Sequence, residues 1–257
     1  MRHFVSWFKG FYMSLGMFCK IPMPFPLWEE AHMPWMISTL PVVGIVIGGI
    51  WWLLGLLFAR IGMPLMLRGA LLALAPFFIA GFIHLDGYMD TSDAVLSCRP
   101  TADKVRILFD SCIGAFAAIM LGILFLLQFA AMYSVGEYGR YLGLVLPIVV
   151  VSRCFATLSI FFLPSIPESD YTVILARNIG IRHKLFVVTI LAASIVFSVL
   201  YAGVWGLIPI GAVILGYVCV TAYVFKEFKG IFGDLLGCAM VIGELCGLIA
   251  LAMLQGR

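Results

Sequence analysis

Long, nearly charge-free apolar runs decide what this chain can fold into. A helix needs about 20 apolar residues to cross the hydrocarbon core of a bilayer. Seven stretches of the 257-residue sequence approach or exceed that length, near 37–59, 65–83, 111–133, 141–163, 185–204, 206–225 and 236–254. In lipid every backbone polar group must be satisfied inside its own segment, so such stretches fold as helices. Composition agrees: 63% of residues are hydrophobic and 11% charged, with mean hydropathy +1.13, against about 25% charged in soluble domains. The expected fold class is all-α, a polytopic transmembrane helical bundle of about seven spans forming one integral membrane domain over residues 1–257. The first twenty residues, MRHFVSWFKGFYMSLGMFCK, have the basic start and apolar middle of a signal peptide. Lys9 and Gly10 interrupt that run and no small-x-small cleavage site follows, so an N-terminal interfacial or re-entrant helix is expected instead.

Pro22, Pro24 and Pro26 kink the loop ahead of the first span, Gly62-Met63-Pro64 turns between the first two, and Gly136 with Gly139 marks a further turn. Only Trp205-Gly206 and Pro209 divide 185–225 into two spans. With seven spans, one membrane face receives eleven basic residues (Arg2, Lys9, Lys20, Arg99, Lys104, Arg106, Arg177, Arg182, Lys184, Lys226 and Lys229) and the other receives four (Arg60, Arg68, Arg140 and Arg257). The positive-inside rule then places the N-terminus in the cytoplasm. A net charge of +3 implies no basic patch for nucleic acid. The seven cysteines, Cys19, Cys98, Cys112, Cys154, Cys219, Cys238 and Cys246, include no CxxC pair and read as reduced packing residues.

The acidic residues are even less evenly placed. Asp86, Asp90, Asp93, Asp103 and Asp110 fall in one loop region (near 84–110), Glu168 and Asp170 in a second (164–184), and Glu227 and Asp234 in a third (226–236). All three belong to the expected cytoplasmic face, while the opposite face carries Glu137 alone. The densest group is His84-Leu85-Asp86-Gly87-Tyr88-Met89-Asp90-Thr91-Ser92-Asp93. If it is helical, the i, i+4, i+7 spacing puts the three carboxylates within an arc of roughly 60°. Like charges on one stripe repel, and no basic residue lies between His84 and Arg99 to offset them. Oxygen-only ligation suits Mg²⁺ or Mn²⁺, which commonly bridge carboxylates to substrate phosphates. A solvated polar helix is the plainer alternative. His84 is open to three roles: general base, metal ligand or structural anchor.

Asp110-Ser111-Cys112-Ile113-Gly114 opens the third span, where Asp110 serves either as a helix cap or as part of a binding site. Lys104 and Arg106 precede it and could reach phosphates. Arg153 and Glu244 lie deep in apolar sequence, so each needs a polar partner; they pair with each other, or Arg153 meets an anionic substrate and Glu244 lines its site. Asp234, between Gly233 and Gly237, either caps the last span or sits where glycines let backbone approach a ligand.

At these residues the chain resembles the adenosylcobinamide-GDP ribazoletransferases, the cobalamin synthase family. Cys19-Lys20-Ile21-Pro22 resembles the family's Thr-Arg-Ile-Pro segment, and Pro41-Val42-Val43-Gly44 its Pro-x-x-Gly. His84-Leu85-Asp86-Gly87 with Asp90-Thr91-Ser92-Asp93 resembles His-Leu-Asp-Gly-Leu-Ala-Asp-Thr-x-Asp. Asp110-Ser111-Cys112-Ile113-Gly114 resembles Asp-Ser-Arg-Ile-Gly, Ser152-Arg153 the later Ser-Arg, and Gly233-Asp234-Leu235-Leu236-Gly237 with Glu244 the Gly-Asp-x-x-Gly and downstream Glu. Cys112 and Cys19-Lys20 depart from family arginine and Thr-Arg positions. The resemblance implies transfer of the β-phosphate of adenosylcobinamide-GDP to α-ribazole or its 5′-phosphate, with release of GMP, Mg²⁺ as cofactor (Mn²⁺ as substitute), and a bacterial inner-membrane location. It implies that Asp86, Asp90 and Asp93 hold metal, that His84 or a free carboxylate orients or deprotonates the acceptor hydroxyl, and that Lys104, Arg106, Asp110, Ser111, Arg153, Asp234 and Glu244 contact substrate. Beyond small molecules and the lipid bilayer, a second copy of the chain or other enzymes of the cobamide pathway are open as partners.

Two other readings compete. A CDP-alcohol phosphatidyltransferase would also set several carboxylates against a nucleotide diphosphate. Its Asp-Gly-x-x-Ala-Arg continuation is absent, since Asp86-Gly87 runs on to Tyr88-Met89-Asp90. A small-solute transporter would spread charges through the membrane in two similar halves, whereas these cluster at one face.

Overall fold

The computed structural model describes residues 2–110 and 112–255, leaving aside the side chains of residues 2–4, 138, 170 and 171. Helices account for the fold, and no strand occurs among the described residues. In chain order they are α1 (Arg2–Phe18), α2 (Met33–Ser38), α3 (Leu40–Arg60), α4 (Leu65–Ala80), α5 (Ile83–Leu96), α6 (Thr101–Leu108), α7 (Ala115–Tyr138), α8 (Val145–Phe162), α9 (Asp170–Leu175), α10 (Ile181–Ala202), α11 (Leu207–Phe228) and α12 (Gly233–Leu254). The chain is a polytopic helical membrane protein. α3, α7, α8 and α12, and the continuous helical stretch from α10 to α11, are each long and apolar enough to cross a bilayer. Leu53, Leu126, Leu200 and Leu215 stand more than 60% exposed on their outer faces, as lipid contact requires and water would penalise.

α8 lies at the centre. Thirteen of its residues are buried, and it packs against α3, α10, α11 and α12. The breaks between spans follow from local chemistry. Between α10 and α11 the α-helix is interrupted at Gly203 (φ 63°, ψ −155°), a conformation only glycine takes readily. Gly206 then packs so closely under the Ser198 carbonyl that a Cβ would collide with it. The expected division of 185–225 into two helices is therefore present.

The second span differs from expectation. Instead of running to residue 83, α4 stops at Ala80, and Gly81 (φ 79°) and Phe82 (φ 66°) turn the chain by 97° into α5. A left-handed glycine after a helix is a strong stop, and it outweighs the apolar residues that follow. The third span likewise begins later, at Ala115 rather than 111.

The three acid-bearing loop regions meet at one end of the bundle. The Ile166 N–H donates to the Ile231 carbonyl (3.0 Å) and the Ile231 N–H to the Pro164 carbonyl (2.8 Å). Lys104 of α6 pairs with Glu227 of α11 at 2.7 Å. α5 and α12 touch backbone to backbone: a Cβ on Gly87 would lie 2.8 Å from Cα and O of Asp234, and one on Gly237 would lie 3.2 Å from the His84 carbonyl oxygen. Gly87→Val should therefore wedge α5 off α12 and lower stability by about 1–3 kcal/mol. Thermal unfolding of the purified protein in detergent reads this directly, and an unchanged midpoint would contradict the contact.

Candidate active site

α5 has two faces. His84, Leu85, Gly87, Tyr88, Thr91, Ser92 and Ala94 are buried, with the Tyr88 hydroxyl donating to the Met120 carbonyl of α7 at 2.9 Å. Asp86, Asp90 and Asp93 share the other face, so the helical spacing expected for 86–93 holds. Gly87 sits level with the first turn of α12, and residues beyond it project past that helix's end. Asp234, the second residue of α12, faces this stripe and makes a fourth carboxylate. The four act on one another electrostatically. Asp90, half-buried, has its carboxyl pushed up to about 6, first by loss of water and then by the negative charges of Asp86, Asp234 and Asp93. No described basic side chain pairs with any of the four within 4 Å.

Asp93 also has a local task. Its carboxylate fills the space that a Cβ on Gly114 would take, and one oxygen accepts the Ala117 N–H at 3.4 Å. Asp93 thus supplies the anion at the N-terminus of α7. That is one of the two roles open to Asp110, which instead lies five residues before α7 and accepts the Cys112 N–H at 3.1 Å. The capping anion comes from another helix, beyond the reach of any sequence pattern. Ser111 lies outside the described residues.

The expected phosphate contacts separate. Lys104 is buried and committed to Glu227, a partner 123 residues away that sequence reasoning left without a role. Arg106 is 84% exposed and only loosely paired with Asp103, at 3.6 Å. Lys20, also exposed, lies over the α4–α5 bend, its Cδ 3.3 Å from where a Gly81 Cβ would be. Arg153 and Glu244 do pair inside the bundle, and the Ser152 hydroxyl donates to the same Glu244 oxygen at 2.6 Å. Arg153 also donates to the Val149 carbonyl at 3.0 Å. The arginine is 2% exposed, so this is a closed buried pair rather than an open anion receptor. Removing one partner leaves an uncompensated charge, which costs about 3–5 kcal/mol in a protein interior. Glu244→Leu should cost that much in thermal unfolding, and the double variant Arg153→Leu/Glu244→Leu should recover most of it.

Among the described residues no group of three or more His, Cys, Asp or Glu side chains already converges on a metal position. The donor chemistry nonetheless fits a hard divalent cation. Four carboxylates repel one another without a basic partner, and carboxylate oxygens are the preferred ligands of Mg²⁺. All seven cysteines are free; Cys19, Cys154 and Cys238 are buried, while Cys98, Cys112 and Cys219 are exposed.

A helical membrane bundle with carboxylates from two helices gathered at one end defines the class: an integral membrane protein with an acidic site at its surface. Sequence comparison then supplies the particular family. The profile described as cobalamin-5-phosphate synthase matches residues 10–252, and the chain belongs to that family. An adenosylcobinamide-GDP ribazoletransferase of Clostridium botulinum (strain Alaska E43 / Type E3) is 36% identical over 246 residues, covering 95% of this chain and 96% of that protein. One from Clostridium perfringens (strain 13 / Type A) is 32% identical, covering 96% and 98%. No solved structure matches. The phosphatidyltransferase and transporter readings gain no support from these relatives.

The raised Asp90 carboxyl carries a pH signature. Its folded-state value, about 6, lies above its ordinary value of 3.8. The protonated form is therefore favoured in the folded state, and stability is lost as pH rises through about 6. In chelator, the unfolding midpoint should fall between pH 5 and about 7; Asp90→Asn should flatten that fall, and Mg²⁺ should raise the midpoint of the native protein more than that of the variant. A flat native profile would refute the raised Asp90 carboxyl.

Proposed function

We propose that the chain transfers the cobinamide phosphoryl group of adenosylcobinamide-GDP to the ribose hydroxyl of α-ribazole or its 5′-phosphate. The acceptor oxygen bonds to the β-phosphorus, the pyrophosphate bond breaks, GMP leaves with the bridging oxygen, and the hydroxyl proton passes to a carboxylate of the site. Family membership carries this reading, because relatives bearing that name match nearly end to end. The acidic end of the bundle supports it chemically. Phosphoryl transfer asks for positioning and charge neutralisation more than for covalent catalysis.

Asp86, Asp90 and Asp93, joined by Asp234, would hold Mg²⁺, or Mn²⁺ in its place, and the cation would neutralise pyrophosphate charge. The chain's own residues do the rest. α5 and α12 fix the carboxylates through their backbone contact. Arg106 and Lys20, exposed at the same end, are suited to outer phosphate oxygens. Lys104, held by Glu227, positions α6, while Arg153 and Glu244 brace the bundle beneath His84 and do not touch substrate. The eleven-to-four excess of basic residues supports a cytoplasmic position for this end, at a bacterial inner membrane, where nucleotide-activated substrates are available.

Asp86→Asn and Asp90→Asn should each lower GMP release by about 100-fold or more, the scale seen when transition-state charge stabilisation is removed, with the protein still monodisperse. Near-native release from either variant would remove the metal-site assignment.

A further inference from the structure

A cavity of about 190 Å³ opens beside the acidic cluster. It lies among α1, α2, α3, α5, α8, α9 and α12, and its walls include Phe18, Ile37, Ala156, Thr172, His84 and Asp234. All other lining residues are apolar apart from Gly233. Asp234 belongs to both the cavity rim and the carboxylate group, so an occupant would adjoin the place assigned to phosphoryl transfer.

His84 gives the cavity its polarity. The side chain is 8% exposed, its ring stacks on Phe18 with centroids 5.9 Å apart at 17°, and buried Nε2 has no hydrogen-bond partner among the described residues. Buried polar atoms are seldom left so. On its other side, towards Arg153 and Glu244, lies a gap of only about 10 Å³, at the lower limit for a single water. The ring also forms part of the wall of the large cavity, where there is room for a ligand.

Size and polarity narrow the occupant. An apolar cavity of about 150 Å³ takes a benzene-sized ring, so this one has room for a small fused ring system but not for a corrinoid or a nucleoside diphosphate. Guanine presents donors and acceptors around most of its edge, whereas this wall offers His84 and Thr172, whose hydroxyl already lies 2.5 Å from that of Ser169. A benzimidazole has an apolar edge and one free ring nitrogen.

We propose that this cavity receives the aromatic base of the acceptor nucleoside, with the His84 imidazole in its wall as the hydrogen-bonding group for the base's free ring nitrogen. His84 is then a specificity-determining residue behind the reacting atoms rather than the group that takes the proton. The inference rests on the transferase reading above, so its test includes a readout that needs no turnover.

The full-length protein is reconstituted in nanodiscs as the native chain, as Ala156→Leu, which fills the cavity from α8, and as Leu175→Ala, which enlarges it from α9. Free dimethylbenzimidazole should bind the native protein in equilibrium dialysis and bind Ala156→Leu at least about tenfold more weakly, the scale set by extra methylenes in an apolar pocket. In turnover, Ala156→Leu should raise the KM for α-ribazole by a similar factor and leave that for adenosylcobinamide-GDP within about twofold. Leu175→Ala should shift preference towards ribosides with a bulkier base, and decides the matter if Ala156→Leu is not monodisperse. A KM change confined to adenosylcobinamide-GDP would assign the cavity to guanine and overturn the proposal. Equal base binding by native protein and Ala156→Leu would overturn it too. Base binding without GMP release from any acceptor would instead defeat the transferase reading and leave the pocket standing.

Discussion

The close approach of α5 to α12 governs the arrangement of the site. Gly87 against the Asp234 backbone and Gly237 against His84 let two helices meet without intervening side chains. Small residues serve this purpose throughout helical membrane proteins, where packing must replace the hydrophobic drive lost in lipid. Here the contact has a chemical consequence as well. It brings the three carboxylates of one helix up to a fourth on another, and it sets His84 one turn deeper, at the wall of an apolar cavity. Larger residues at these two glycines would separate the components that the proposed chemistry needs together.

Two kinds of charge coexist and are handled in opposite ways. Inside the bundle, Arg153 and Glu244 neutralise one another and share the Ser152 hydroxyl, so their burial is tolerable. At the end of the bundle, Asp86, Asp90 and Asp234 have no such compensation from the protein, and the displaced Asp90 carboxyl records the strain. Asp93 is intermediate, with one oxygen on the first turn of α7. The contrast distinguishes groups that stabilise the fold from groups kept at its expense, which is a common mark of function.

Much of the fold was legible because hydropathy in a membrane protein is nearly a direct readout of structure. Five apolar helical stretches long enough to cross a bilayer cover six of the seven expected spans, two of them joined in the continuous α10–α11 stretch, and the acidic stripe at 86–93 is helical as its spacing required. The errors came from competition between signals. Gly81 stops α4 although apolar residues continue past it, and Asp110 lost the capping of α7 to Asp93, a residue on another helix. The partners of Lys104 and Arg153 were set by distant residues, so their commitments could be seen only once the helices were assembled. The cavity beside His84 left no pattern at all, since each of its walls looks like ordinary core.

The early end of α4 shapes the surrounding membrane too. Its sixteen residues span about 24 Å at 1.5 Å per residue, less than the roughly 30 Å of a typical hydrocarbon layer. A short span of this kind is matched by local thinning of the bilayer beside it. Thinning on the flank where α4 gives way to α5 would bring the water boundary towards the carboxylates. A hydrophilic nucleotide conjugate can then reach them from solution without entering the oily interior.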